Sequence, residues 1–172
     1  LAAEIPTVEN GGIAKDGKSV TWKLKQNVKW ADGEPLTAED VVFTYEFITY
    51  PDVASASIEY YYTIEKVEAV DNYTVKITFK DVNPGWAVPF TGQNGMILPK
   101  HIFAEYNGAN IREAPANQKP IGTGPYQVVE FKAGDIIIYE PNPNYWDTGK
   151  PYFKRVELKG GGDAVYAERA VL

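Results

Sequence analysis

The chain has 172 residues, 44% of them hydrophobic, a formal net charge of −6 and no cysteine. That length allows one domain, or one domain with a small appendage, and the acidic balance argues against nucleic acid, whose phosphates an acidic surface repels. Without cysteine there is no disulfide, thiolate nucleophile or cysteine-ligated zinc, and no run of 18 apolar residues offers a membrane span.

In "VTWKLKQNVKW" (20–30), Val20, Trp22, Leu24, Val28 and Trp30 share one parity and only Gln26 breaks the row. This period of two predicts a half-buried strand, and "ADGEP" then turns the chain through Asp32-Gly33. In "LTAEDVVFTYEFITY", Thr37 is an N-cap and Asp40, three residues on, is the acid of a capping box. Leu36 and Val41 hold the positions of a hydrophobic staple. Val41, Val42, Tyr45 and Ile48 follow at helical spacing, so a helix is expected from about 38 to 49, ended by Pro51. Glu39 and Asp40 read as first-turn acids that complement the helix dipole, not as catalytic acids.

"IEKVEAVDNYTVKITFK" reads as a hairpin around Asp71-Asn72, its second arm alternating Tyr73, Val75, Ile77 and Phe79 with polar residues. "NPGWAVPFTGQNG" is loop-rich with room for a short helix. "MILPKHIFAEY" predicts a short strand, a break at Pro99 and a helical turn or two. "REAPANQKP" reads as a polar linker, which places an internal boundary near 113–120. "YQVVEF" and "IIIYE" form a second hairpin across Lys132–Asp135, and "FKRVELK" supplies another strand. "DAVYAERAVL" opens a helix that stops before any C-cap, so both ends of the sequence read as interior cuts. The fold class is therefore α+β, with mixed, largely antiparallel sheets and a few short helices.

Residues suited to chemistry are few. His101 has no cysteine or second histidine to share a metal, so a helix-start or core role is the simpler reading. Ser19, Ser55 and Ser57 lie outside any G-x-S-x-G pattern. A carboxylate pair of the glycosidase kind stays open, because sequence spacing does not set the separation such a pair needs. Gly122-Thr123-Gly124 lacks the G-x-x-x-x-G-K-[ST] pattern and the following helix of a phosphate loop. It reads as a turn feeding a strand, with glycines permitting unusual backbone angles and Pro125 fixing φ. The 12 Tyr and 4 Trp suit a surface that binds something, although sheets also favour aromatics.

Several segments together resemble the extracellular solute-binding proteins that serve peptide and nickel ABC importers. They are "VKWADGEPLTAEDVVFTYE", "VEAVDNYTVKITFK", "ILPKHIF", "PIGTGPYQVVEF", "PNPNYWDTGKPYFKRVEL" and "DAVYAERAVL", in the family's order and across nearly the whole chain. The resemblance implies a two-lobed, periplasmic-binding-protein type II-like fold, exported and often lipid-anchored. Such a protein closes over a ligand and presents it to a membrane permease. Members are much longer, so residues 1–118 would be a family-specific subdomain of the first lobe and 119–172 part of its core. The N-terminal strands and the second lobe would be absent.

By place in the family pattern, Gln93, Asn94, Gly95, Met96 and Tyr126 are candidate ligand contacts, with loop geometry or core packing as the alternative for each. Gly160 and Gly161 are candidate hinge residues at the crossing towards the second lobe. No catalytic residue, metal or cofactor is implied. The expected partners are a peptide and the permease, with a monomer in the full protein and pairing of the fragment through surface that a missing lobe would cover. Nickel-chelate or oligosaccharide binding on the same fold stays open, as does a glycan-processing enzyme using two acids.

Overall fold

The structure is a computed structural model that describes residues 1–92, 95–106 and 108–160. Its frame is two three-stranded antiparallel sheets. The first has the order β1-β3-β2, from Ser19–Lys23 (β1), Ile64–Asp71 (β2) and Thr74–Phe79 (β3). The second has the order β4-β5-β6, from Tyr126–Lys132 (β4), Ile136–Pro141 (β5) and Val156–Lys159 (β6). A helix, Ala38–Thr49 (α1), packs against the first sheet, and a single turn, Lys100–Phe103 (α2), packs against that helix. Both hairpins fall where the alternation places them.

The expected strand over 20–30 divides. β1 ends at Lys23, and Gln26 and Asn27, both exposed, turn the chain. The inward row survives the turn, because Val20, Leu24, Val28 and Trp30 are all buried and Trp22 half-buried. Beyond it Trp30 N–H donates to the Glu34 carbonyl at 2.8 Å and Leu36 N–H to the Val28 carbonyl at 3.0 Å, closing a tight loop over Ala31–Gly33. Gly33 takes φ +99° there, a conformation that favours glycine.

α1 has the predicted bounds. The Asp40 carboxylate accepts the Thr37 N–H at 2.9 Å through one oxygen and the Lys100 N–H at 2.9 Å through the other. The helix is apolar on two sides. Val41 and Ile48 join the main core with Leu36, Tyr61, Val75, Ile77 and Phe79. Phe43 and Phe47 join a second cluster with Phe103, Ala114 and Ala116. Each fully buried large side chain in these clusters contributes about 1.5–3 kcal/mol.

Two expectations need correction. Residues 96–98 form no strand, because the Leu98 N–H donates to the buried Thr44 hydroxyl at 2.9 Å and not to a ladder. The 112–120 segment is not a free polar linker. It folds into 3-10 turns, Gly108–Glu113 and Pro115–Asn117, that press Ala114 and Ala116 against the phenylalanines of α1. The helix expected over 163–172 lies outside the described residues.

In the second sheet a bulge between Val128 and Glu130 shifts the β4–β5 register. The pairings on either side of it place Tyr126, Phe131, Ile137, Tyr139, Val156 and Leu158 on one face. Phe131 is 42% and Leu158 53% exposed there.

Candidate functional site

Gly122-Thr123-Gly124 lies at the junction of the two sheets, as a bend leading into β4. Neither glycine takes a positive φ, and a Cβ on Gly124 would meet no atom within 4 Å. The expectation of unusual backbone angles is therefore corrected. What fixes the bend is its carbonyls. Gly122 C=O accepts the Ala31 N–H at 3.0 Å, and Gly124 C=O accepts the Asn142 side-chain amide at 2.8 Å. Pro125 C=O accepts the Asn142 backbone N–H at 2.9 Å. Asn144 then donates its side-chain amide to the Ala31 carbonyl at 3.0 Å.

The same 30–33 turn reaches α2, since Asp32 Oδ2 lies 2.8 Å from His101 Nε2. His101 thus pairs with a carboxylate at the start of a helical turn, with the Trp30 ring edge-on at 6.4 Å. Among the described residues no group of three His, Cys, Asp or Glu side chains is placed to hold a metal ion.

The bend delivers Tyr126 to the first position of β4, half-buried, where it walls a shallow cavity of about 300 Å³ with Pro125, Tyr139 and Val156. A second cavity, about 250 Å³ and more enclosed, opens on the first sheet between Trp22, Leu36, Val41, Ile77, Phe90 and Ile97. Gly95 and Met96 stand beside this second cavity in sequence but line neither. Gly95 is buried, and an added Cβ would come 2.5 Å from the Phe90 carbonyl carbon. Met96 is 67% exposed. Gln93 and Asn94 lie outside the described residues. Of the described candidates, Tyr126 lines one of these cavities and Gly95 and Met96 line neither.

Of the hinge candidates, Gly160 donates its N–H to the Asp135 carbonyl and so continues the β5–β6 ladder by one bond. Gly161 lies outside the described residues. A Cβ on Gly160 would approach the Asp135 carbonyl oxygen at 3.5 Å, ordinary van der Waals contact.

A glycan-cleaving acid requires a carboxyl held above its ordinary range. Among the described residues the carboxyls displaced from their ordinary range, Glu9, Glu68, Asp71 and Glu130, lie below it. A hydrogen bond from Lys66 holds Glu68 low, the Tyr73 backbone N–H holds Asp71 low, and a hydrogen bond from Lys132 holds Glu130 low. The residues that sequence reasoning missed are Asn142 and Asn144. The signal was available in "NPNYW", a cluster of turn-forming residues that reads as loop until its partners are known.

The family described as bacterial extracellular solute-binding proteins, family 5 Middle, matches residues 7–170. The chain is 38% identical over 168 residues to the oligopeptide-binding protein AppA of Bacillus subtilis, covering 95% of this chain and 29% of AppA. The solved structure of AppA from Bacillus subtilis in complex with a nonapeptide superposes with a TM-score of 0.87 at 32% identity, over 99% of this chain and 32% of that one. NikZ from Campylobacter jejuni, solved in complex with Ni(L-His), gives a TM-score of 0.79 at 31% identity, over 92% of this chain and 31% of NikZ. The chain therefore spans less than a third of the length of each of these relatives. Its mixed α+β architecture is that of the type II periplasmic binding proteins. With the bend, both hairpins and α1 in the expected places, the chain belongs to family 5 of the bacterial extracellular solute-binding proteins.

Proposed function

We propose that the chain is part of the first lobe of the substrate-binding component of an ABC importer, which captures peptides outside the membrane and delivers them to the permease by hinge closure. The observation that carries this reading is the likeness, over 99% of the chain, to an oligopeptide-binding protein whose structure holds a nonapeptide. In this reading residues 1–118 are the family-specific subdomain and 119–172 part of the core. The protein works outside the cytoplasm, anchored at the membrane, as a monomer and without a catalytic step.

The peptide lies against this lobe at the Gln93–Met96 segment and at Tyr126. The tyrosine offers an apolar ring and a polar tip, the combination that favours such contacts. Gly160 and Gly161 form part of the crossing between lobes. Unchanged opening and closing rates in a Gly160→Ala, Gly161→Ala variant of the intact protein would remove them from that role.

The reading is tested by native mass spectrometry of the gently purified intact protein, followed by denaturation to release cargo. Co-purified short peptides support it, and calorimetric titration with them gives saturable heat without turnover. Consumption of the ligand would move the protein to an enzyme class. A second reading, a nickel chelate as cargo, is favoured by the likeness to NikZ with Ni(L-His). It predicts nickel, in place of peptide, in the released fraction.

A further inference from the structure

The two sheets share no strand pairing, and the chain between β3 and β4 is long enough to act as a joint. Hydrogen bonds cross between them at Ala31, whose N–H donates to Gly122 C=O and whose C=O accepts the Asn144 side-chain amide, and Asn142 holds Asn144 from the second sheet's side. Asn142 is 3% exposed and closes the end of β4 on the end of β5 while orienting Asn144. Its side-chain amide donates to Gly124 C=O at 2.8 Å, its Oδ1 accepts the Asn144 N–H at 2.9 Å, and its own N–H donates to Pro125 C=O at 2.9 Å.

Asn144, oriented by that bond, reaches across to Ala31 C=O at 3.0 Å. Ala31 returns a bond to Gly122 C=O. Around this polar centre Ile121 and Trp146 pack against the core of the first sheet, and the Lys25 ammonium stands 4.7 Å over the Trp146 ring. Asn142 is buried and Asn144, Ala31 and Gly124 are half-buried, so losing either amide leaves a partly shielded carbonyl without its donor.

We infer that Asn142 and Asn144 are positioning residues that fasten the two sheets into one rigid body. Segment 113–120 is then not a joint, and the wall carrying Tyr126 keeps a fixed attitude to the first sheet. The lobe movement takes place outside residues 1–159, a consequence that rests on the proposed function. The rigidity itself does not.

The absence of cysteine makes the test direct. Spin labels are placed at Val70→Cys on β2 and Leu158→Cys on β6, both exposed, and their separation is read by double electron–electron resonance. The parent chain gives one narrow distance distribution. Asn142→Ala with Asn144→Ala broadens and shifts it, while Asn142→Asp falls between. That variant keeps the acceptor for Asn144 N–H but has no donor for Gly124.

A role confined to stability lowers the melting temperature and leaves the distribution narrow, which overturns the inference. A distribution already broad in the parent overturns it too. Should the double variant fail to fold, Asn144→Ala alone keeps all three Asn142 bonds and must still broaden the distribution. Failure of peptide binding in the intact protein leaves each of these readouts unchanged, so the two readings fail separately.

Discussion

Asp40 is the sharpest test of how α1 is held. Its carboxylate is 4% exposed and accepts two backbone N–H bonds of 2.9 Å, one from Thr37 at the start of the helix and one from Lys100 at the start of α2. Asp40→Asn keeps one acceptor oxygen and turns an NH₂ group towards the other donor. One charge-assisted bond is lost and one shielded N–H is stranded, so the expected cost is about 2–3 kcal/mol.

Asp40→Ala strands both donors and costs about 3–5 kcal/mol. The control is the neighbouring acid. Glu39 pairs with the Lys100 ammonium at 2.9 Å, but both side chains are at least half exposed, so Glu39→Gln costs at most about 0.5 kcal/mol. Urea denaturation followed by the fluorescence of buried Trp30 measures all three. Amide exchange at Lys100 should quicken in the Asp40 variants and not in Glu39→Gln. If Asp40→Asn loses no more stability than Glu39→Gln, the clamp between the two helices is not a source of stability and the argument fails.

Three further outcomes are expected. Gly95→Ala drives a Cβ into the Phe90–Thr91 backbone and lowers stability by about 1–3 kcal/mol, whereas Gly124→Ala, with open space and no positive φ, stays within about 0.5 kcal/mol of the parent. Both are read by thermal denaturation. Phe47→Ala empties the centre of the second cluster, where Phe47 touches Phe43 and Phe103, and costs about 3–5 kcal/mol. On the proposed reading, the 172-residue chain alone binds peptides weakly, because a partial cleft buries part of the ligand and cannot close. Calorimetry that gives micromolar or tighter affinity in this chain would contradict that expectation.

The elements legible in the sequence are those specified by neighbours along the chain. Thr37, Asp40 and the staple of Leu36 and Val41 set the start of α1 within a few residues, and the two hairpins follow from alternation around short polar turns. What was not legible depends on partners far away in sequence. Thr44 removes Leu98 from any ladder across 54 residues, and Ala114 and Ala116 look like linker residues until the phenylalanines of α1 cover them. Asn144 meets Ala31 across 113 residues. The candidate ligand contacts came from family resemblance, and among those described Tyr126 alone lines one of the two cavities. In the proposed reading a peptide cleft is built where two lobes face each other, so one lobe's sequence carries only one wall of it.

The placement of α1 between two apolar clusters also bears on how this chain opens. Val41 and Ile48 face one cluster and Phe43 and Phe47 the other, so the helix cannot leave either without uncovering a side of itself. The second cluster has no sheet of its own. Its remaining members come from α2 and short 3-10 turns, which are poor at holding protons against solvent. Those turns should therefore detach first, in a partial opening that leaves α1 docked on the sheet. The amides of α1 should exchange only with collapse of the main core, which makes the helix the seam along which two units of unequal persistence are joined.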